Sequence, residues 1–194
     1  MKFVGERIIK LDKPLNVLDK LVLKFVKIIE KYIDYVIISG YVSLLFGRTR
    51  GTEDVDFFIR EIDLETLTKL YQDLKKNGFW CLNAESNVEV YSYLKEGIAV
   101  RFAEKGKVIP NMEVKFARKR LNQDVFTDYL TVETAEGVLK ISSLERQIAF
   151  KRFFLGSPKD LEDAQHVEEV FKDKINKEKI KYYKELIKRE YGKT

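Results

Sequence analysis

Hydrophobic and polar residues follow two different periods along this chain, and the two periods predict a mixture of helices and strands. In several segments the apolar residues recur every three or four positions, which is typical of one face of a helix. Other segments are short apolar runs bounded by turn residues, which is typical of strands. Before residue 143, helices are predicted at 14–32, 40–47, 63–78 and 119–128, and strands at 35–39, 54–59, 79–83, 98–103, 109–117 and, as a small hairpin, 129–142.

The distribution of these elements along the chain predicts an α+β fold. Strands are expected mainly before residue 141, and helices dominate afterwards, at 143–155, 158–171 and 175–191. We therefore expect a mixed β-sheet with flanking helices in residues 1–140 and a C-terminal helical portion in 141–194 that packs on this core. The pattern at 84–96 fits neither period well, and a short helix is one interpretation of it.

The composition limits which class of protein this chain can be and which kind of metal site it can contain. With 194 residues and 45% hydrophobic content, the chain is long enough for one domain with a real core. No apolar run approaches the roughly 18 residues of a membrane span, and the N-terminus has no apolar signal-peptide core, so we expect a soluble, cytoplasmic protein. Because Cys81 and His166 are the only cysteine and histidine, any metal is expected among oxygen ligands.

The formal net charge of +5 is concentrated at the C-terminus. Nine of the 36 Lys and Arg residues but only four of the 31 Asp and Glu residues lie in 172–194, so that 27 of each sign remain in 1–171. A neutral body argues against a duplex-DNA binder, which needs a basic face. The tail fits either a polyanion such as RNA or a solvated helix that packs through one apolar stripe. That stripe comprises Ile180, Tyr183, Ile187 and Tyr191.

Two carboxylates begin the second predicted strand, in Asp54-Val55-Asp56. Because side chains alternate across a strand, the two acids are expected on one face, while Val55 and Phe57 pack on the core from the other. Carboxylates about 7 Å apart on one strand repel each other unless a cation lies between them, and Mg²⁺ prefers such oxygen ligands. Acid-x-acid pairs are common in this chain, but most lie on solvated helices, whereas this pair has apolar neighbours.

A third carboxylate and a phosphate-binding turn are also predicted. Glu113 lies on the polar face of the strand at 109–117, which makes it the candidate third ligand, with a plain solvated strand face as the alternative and Glu89 as its rival. Upstream, the Ser39-Gly40 turn opens a short helix, where free backbone N–H groups can bind phosphate. The alternative for this turn is a tight bend that only small residues fit.

These features occur together in one ordered pattern. Its residues are Ser39-Gly40-Tyr41, Gly47, Arg50, Thr52 and Asp54-x-Asp56. The pattern resembles the signature of minimal nucleotidyltransferases of the DNA polymerase β-like superfamily, in which a small-residue pair follows a strand and Asp-x-Asp begins the next one. Between them, a glycine closes a short helix, and an Arg and a Thr or Ser follow. The departure is Ser39, where the family usually has glycine.

A second segment, at 141–163, resembles the branch of this superfamily that includes abortive-infection-type toxins. It is similar to a helix with a central lysine followed by a helix that starts with a basic residue and Asp-x-x-Asp, and Lys151 and Asp160 occupy the matching positions. The resemblance implies that Lys151 contacts phosphates. Asp160 has an alternative interpretation as part of a helix N-terminal cap with Ser157 and Pro158.

The resemblance implies a mixed sheet that carries three carboxylates, two divalent ions (Mg²⁺ or Mn²⁺) and a nucleoside triphosphate. Asp54 and Asp56 would hold the metals, and Glu113 would bind the second metal or activate the attacking hydroxyl. The residues implied in nucleotide binding are Ser39, Gly40, Arg50, Thr52, Lys151 and Asp160.

Three functions follow as hypotheses. The first is a Mg²⁺-dependent nucleotidyltransferase that modifies a hydroxyl of a protein, RNA or small molecule and releases pyrophosphate; a toxin role for this enzyme would require a partner antitoxin. The second is a nucleotide-binding or partner-binding module that does not turn over. The third is an RNA-associated protein that uses the basic tail.

Overall fold

One mixed β-sheet organises the structure, which is a computed structural model that describes residues 1–192. The strands within those residues are β1 (Lys2–Phe3), β2 (Ile8–Lys10), β3 (Tyr35–Ile38), β4 (Asp54–Ile59), β5 (Phe79–Cys81), β6 (Val100–Glu104), β7 (Asn111–Phe116), β8 (Leu130–Glu133) and β9 (Val138–Ile141). They lie in the order β1-β2-β8-β9-β3-β4-β7-β6-β5. Since β4 runs antiparallel to β3 and parallel to β7, the sheet is mixed, as predicted.

Helices flank this sheet, and several of them begin at a capping side chain. The helices are α1 (Val17–Ile29), α2 (Gly40–Leu45), α3 (Leu64–Lys76), α4 (Asn87–Glu96), α5 (Arg120–Gln123), α6 (Val125–Asp128), α7 (Leu144–Phe150), α8 (Pro158–Val170) and α9 (Lys177–Tyr191), and a π-helical segment (Lys151–Leu155) continues α7. Asn16, Asp63 and Ser86 each accept a hydrogen bond from the backbone N–H three residues later. Such caps satisfy an N–H group that the helix leaves unpaired. The α+β fold class is confirmed.

The structure differs from the predicted elements at a few positions. Strands β1 and β2 were not predicted, because two or three residues are too short to show a period, yet Ile9 pairs with Val132 in parallel register. The short-helix interpretation of 84–96 is correct, since α4 lies there. The helix predicted at 119–128 is divided into α5 and α6. The division of the chain at residue 140 stays a prediction.

The hydrophobic core lies between the sheet and its helices. Phe25 of α1 packs against Phe57 of β4 and Phe79 of β5, with ring centroids 5.3 and 5.2 Å apart. Val55, Phe57 and Ile59 are all buried, so the apolar face of β4 points into this core. The opposite face of β4 is therefore the one that carries the acids. None of the described helices combines the length and apolar character that a membrane span needs.

The C-terminal helix α9 packs on the rest of the chain through the predicted stripe. Ile180, Tyr183 and Ile187 are buried, and Tyr191 lies against Phe154 with ring centroids 4.6 Å apart. The packing alternative for the tail is therefore correct for this helix. Binding of RNA by its exposed lysines stays a prediction. Residues 193 and 194 of the basic tail lie outside the described residues.

Candidate functional site

The register of the central strands brings the predicted carboxylates together. Asp56 of β4 lies beside Glu113 of β7, and Asp54 lies beside Asn111. Along β4 the buried positions alternate with Asp54, which is exposed, and Asp56, which is partly buried. Both aspartates lie on one face of β4, and Glu113 is on the neighbouring strand at the same level.

Asp56 is in an environment that disfavours a bare negative charge. Burial, followed by the charges of Asp54 and Glu113, raises its pKa from 3.8 to about 6. The charge of Lys115 and a hydrogen bond from the Ser39 side chain act in the opposite direction but do not cancel this rise. A divalent cation between Asp54 and Asp56 would remove the repulsion, so this pair of oxygen donors fits such an ion.

Glu113 is already paired with two cations. Its Oε2 accepts a hydrogen bond from Arg101 Nε at 2.9 Å and forms an ion pair with Arg101 Nη2 at 2.8 Å, and its Oε1 accepts a hydrogen bond from Lys115 Nζ at 2.6 Å. Although burial acts to raise the pKa of Glu113, Lys115 and Arg101 hold it below the ordinary value. Within residues 1–192 no three acidic, histidine or cysteine side chains are grouped so as to hold a metal ion. Glu113 would have to release Lys115 or Arg101 to become a metal ligand.

The rival carboxylate, Glu89, has a different role. It lies in the first turn of α4, where it accepts hydrogen bonds from the backbone N–H of Glu85 and from the Tyr93 hydroxyl. The side chain is therefore part of a helix N-terminus and not of the sheet. Of the two candidates for a third carboxylate, Glu113 is the one beside the aspartates.

The Ser39-Gly40 turn has an unusual backbone conformation. Ser39 has φ 62° and ψ −138°, and among the described residues it is the one non-glycine residue with a positive φ. Residues other than glycine adopt this conformation at a cost of about 1–3 kcal/mol, and such strain is concentrated at functional sites. The turn follows β3 directly, and the Ser39 side chain reaches Asp56 on the adjacent strand β4.

Arg50 crosses this turn and ties it to α8. Its Nε and Nη2 donate to the two carboxylate oxygens of Asp163, at 3.1 and 2.8 Å. A Cβ atom at Gly40 would lie 2.5 Å from Arg50 Nη2, so only glycine leaves room for the guanidinium. Thr52 acts in the same loop, where its hydroxyl donates to the backbone oxygen of Asp54 at 3.0 Å. In this structure Thr52 contacts the start of β4 and Arg50 pairs with α8, so nucleotide binding by these two residues stays a prediction.

The Gly40→Ala variant tests this close approach. Because Asp163 holds the guanidinium in place, the added methyl group is expected to disrupt the ion pair and lower the free energy of unfolding by about 1–2 kcal/mol. Urea denaturation measures this change. Gly51→Ala is the matched control, since its Cβ would meet no atom within 4 Å. Equal midpoints for the two variants would contradict the steric role of Gly40.

Lys151 and Asp160 belong to the same buried cluster of charges. Lys151 is almost fully buried, and its Nζ donates to Asp163 at 2.9 Å and to Asp160 at 3.2 Å. Asp160 also accepts from the Ser157 hydroxyl, while its own N–H donates back to that side chain. The cap interpretation of Asp160 is therefore correct, and nucleotide binding by Lys151 and Asp160 stays a prediction. Asp163, the second acid of the Asp-x-x-Asp pattern, was not predicted as a site residue, although it connects Arg50 with Lys151.

A cleft of about 660 Å³ opens beside Asp56. It lies between the polar face of the sheet and the helices α7 and α9, and of the predicted site residues it is lined by Ser39, Asp56 and Lys151. Further cations, which sequence reasoning did not single out, also line it: Lys115, Arg118, Lys119 and Arg146. Its apolar wall contains Phe58, Phe116, Phe150, Phe154 and Tyr191.

Known structures share this architecture, whereas no protein family and no curated sequence matches the chain. An antigenic nucleotidyltransferase-like protein from Paracoccidioides brasiliensis is 18% identical, with a TM-score of 0.53 over 89% of this chain and 88% of that one. This chain has a nucleotidyltransferase fold. ANT(2'')-Ia in complex with adenylyl-2''-tobramycin is 15% identical, with a TM-score of 0.53 over 89% and 97% of the two chains. JHP933 from Helicobacter pylori is 17% identical, with a TM-score of 0.51 over 90% and 76%.

The nucleotidyltransferase fold confirms the architecture that the sequence pattern implied. At 15–18% identity the similarity concerns the fold, so the roles of individual side chains rest on their geometry in this chain. The geometry supplies two carboxylates on one face of a rigid strand, a strained turn beside them and a cationic cleft that starts at Asp56.

Proposed function

We propose that this chain is a Mg²⁺-dependent nucleotidyltransferase, which moves a nucleoside monophosphate from a nucleoside triphosphate to a hydroxyl group. The observation that carries the proposal is the placement of Asp54 and Asp56 on one strand face beside the Ser39-Gly40 turn, with Asp56 lining a cleft that also contains several cations. The two carboxylates would bind the metal, and the Ser39-Gly40 turn and the cations of the cleft would bind the phosphates. The nucleotidyltransferase fold supports the same class of reaction.

Asp54 and Asp56 would hold the ions in this reaction. A bound divalent ion supplies Lewis-acid chemistry, since it neutralises charge on the phosphates during an in-line displacement. The acceptor oxygen forms a bond to the α-phosphorus while the bond to the leaving pyrophosphate breaks, and the hydroxyl proton passes to a carboxylate of the site. Glu113 is the candidate for that proton or for a second ion, because it lies beside Asp56.

The cationic cleft favours an acceptor that is not itself positively charged. Arg118 and Lys119 line it without a carboxylate partner among the described residues, and cations at close range repel a polyamine. The ANT(2'')-Ia complex contains an adenylylated small molecule, which supports a small-molecule hydroxyl as one acceptor class, beside RNA and protein. A toxin-type role in the cytoplasm, with a partner antitoxin, belongs to the same proposal and is supported by the Lys151 and Asp160 segment.

Transfer of label from each α-³²P nucleoside triphosphate to RNA, protein and small-molecule acceptors, in the presence of Mg²⁺ or Mn²⁺, tests the proposal. We expect Asp54→Asn and Asp56→Asn each to lower the rate by about 1,000-fold, because losing a metal ligand removes several kcal/mol of transition-state stabilisation. Glu53→Gln is the matched control, since Glu53 is an exposed neighbour of both acids. A wild-type chain that neither binds nor transfers nucleotide would exclude the proposal.

One observation favours a binding module as the second candidate. Both oxygens of Glu113 are occupied by Arg101 and Lys115, so the third carboxylate is not free in this structure. A module of this kind would bind nucleoside triphosphate in calorimetry and would retain that affinity in Glu113→Ala, with no labelled product from any acceptor. Detection of product that disappears in Glu113→Ala would exclude the module.

A further inference from the structure

Two buried polar groups line the cleft without a hydrogen-bond partner. Gln147 Nε2 and Ser142 Oγ have none among the residues that the structure describes. Gln147 is 4% exposed and Ser142 is 2% exposed, and both residues line the cleft. A buried donor that stays unpaired costs about 1–3 kcal/mol, so a structure that keeps two of them facing one cavity is suited to a ligand that pairs with them.

The position of Gln147 and Ser142 relative to Asp56 indicates which part of a ligand would contact these two residues. Gln147 precedes Lys151 by four residues, so the two side chains lie on one helix face about 6 Å apart. The Ser142 N–H donates to Ile37 O at 2.9 Å, which places Ser142 beside the strand that leads to Ser39. The polar pair therefore lies about one helical turn from the end of the cleft where phosphates are proposed.

Aromatic side chains complete this part of the cleft. Phe150 and Phe154 are 5.8 Å apart between ring centroids, and Phe154 and Tyr191 are 4.6 Å apart. All three rings line the cavity. Stacking of a base on an aromatic side chain contributes about 1–3 kcal/mol, so a flat heteroaromatic ring fits these walls better than a flexible chain. A nucleobase combines such a ring with hydrogen-bonding atoms on its edge.

We propose that this part of the cleft binds the nucleobase of the triphosphate and that Gln147 and Ser142 determine the base preference. The inference rests on the proposed function, since it takes the phosphates to lie at Ser39, Asp56 and Lys151. The Gln147 amide donates to a ring nitrogen or carbonyl oxygen of the base, and the Ser142 hydroxyl donates or accepts at the same edge. The aromatic residues hold the ring plane.

Calorimetric affinities for ATP, GTP, CTP, UTP and inorganic tripolyphosphate test this inference on the full chain with Mg²⁺. We expect the wild type to prefer one base, and we expect Gln147→Leu to weaken that nucleotide about tenfold and to reduce the differences among the four. Affinity for tripolyphosphate is expected to stay unchanged. Ser142→Ala is expected to act in the same direction, and Gln165→Leu, at an exposed glutamine outside the cleft, is the matched control.

The folding of the variant can be checked independently of binding. Because Gln147 Nε2 has no partner among the described residues, Gln147→Leu is expected to leave the melting temperature unchanged or to raise it. An equal loss of affinity for all four nucleotides and for tripolyphosphate would overturn the inference, as would unchanged nucleotide affinities with a raised KM for an acceptor. A wild type that binds tripolyphosphate and nucleotides equally also overturns it, whereas a wild type that binds neither removes the proposed function.

Discussion

Replacing Asp163 with alanine is expected to lower the free energy of unfolding by about 3 kcal/mol, because the change removes the carboxylate that the buried Lys151 and the partly buried Arg50 share. Asp163 is fully buried and accepts from Arg50 at 2.8 and 3.1 Å and from Lys151 at 2.9 Å. Lys151 keeps its contact with Asp160, so the loss stays at the lower end of the values for broken buried pairs. Urea denaturation at pH 7 measures the change.

Glu162→Ala is the control for this prediction, since Glu162 is the preceding residue on α8. Its side chain is 63% exposed and pairs with Arg48, and surface pairs of this kind contribute at most about 1 kcal/mol. Similar losses in the two variants would contradict a special role for Asp163.

The effect of Asp163 also depends on pH. Although burial opposes it, Arg50 and Lys151 lower the pKa of Asp163, so its contribution is present at neutral pH and is lost as the pH falls through that lowered pKa.

The face that carries the carboxylates could be predicted from the sequence because it depends on local geometry. Alternation along β4 is enough to separate Asp54 and Asp56 from Val55 and Phe57, and the same rule selects Glu113 on β7. Alternation does not predict that β4 and β7 are neighbours, because that depends on the order of the strands in the sheet. The sequence pattern of the superfamily, and not the alternation itself, implied that the three acids meet.

The partners of these residues could not be predicted, because they come from distant parts of the chain. Arg101 reaches Glu113 only through the antiparallel pairing of β6 with β7. Asp163 lies 113 residues from Arg50 in the sequence, and no pattern in the residues around it predicts that contact. Gln147 lies in a helix whose pattern shows an ordinary polar position. What distinguishes Gln147 is that its Nε2 has no hydrogen-bond partner among the described residues, and only the folded chain shows this.

Replacing Asp56 with asparagine is expected to stabilise the metal-free protein at pH 7 by about 2 kcal/mol while it lowers the transfer rate by about 1,000-fold, which separates the stability of the site from its function. Burial and the charges of Asp54 and Glu113 raise the pKa of Asp56 from 3.8 to about 6, so its ionised form at pH 7 destabilises the fold. Asparagine has nearly the same shape and carries no charge. Thermal denaturation in EDTA measures the difference, with Glu53→Gln as the control at an exposed neighbour.

The pH and metal dependence of this variant identify the cause. Because the folded state holds the Asp56 proton more tightly than the unfolded state, the wild type gains stability as the pH falls from 7 through about 6 towards 4. The advantage of Asp56→Asn should therefore vanish over that range. A divalent ion that binds the folded state adds stability by mass action, so Mn²⁺ should raise the melting temperature of the wild type and not of Asp56→Asn. Equal responses to Mn²⁺ in both proteins would show that Asp56 holds no ion, and the burial of its charge would then need another explanation.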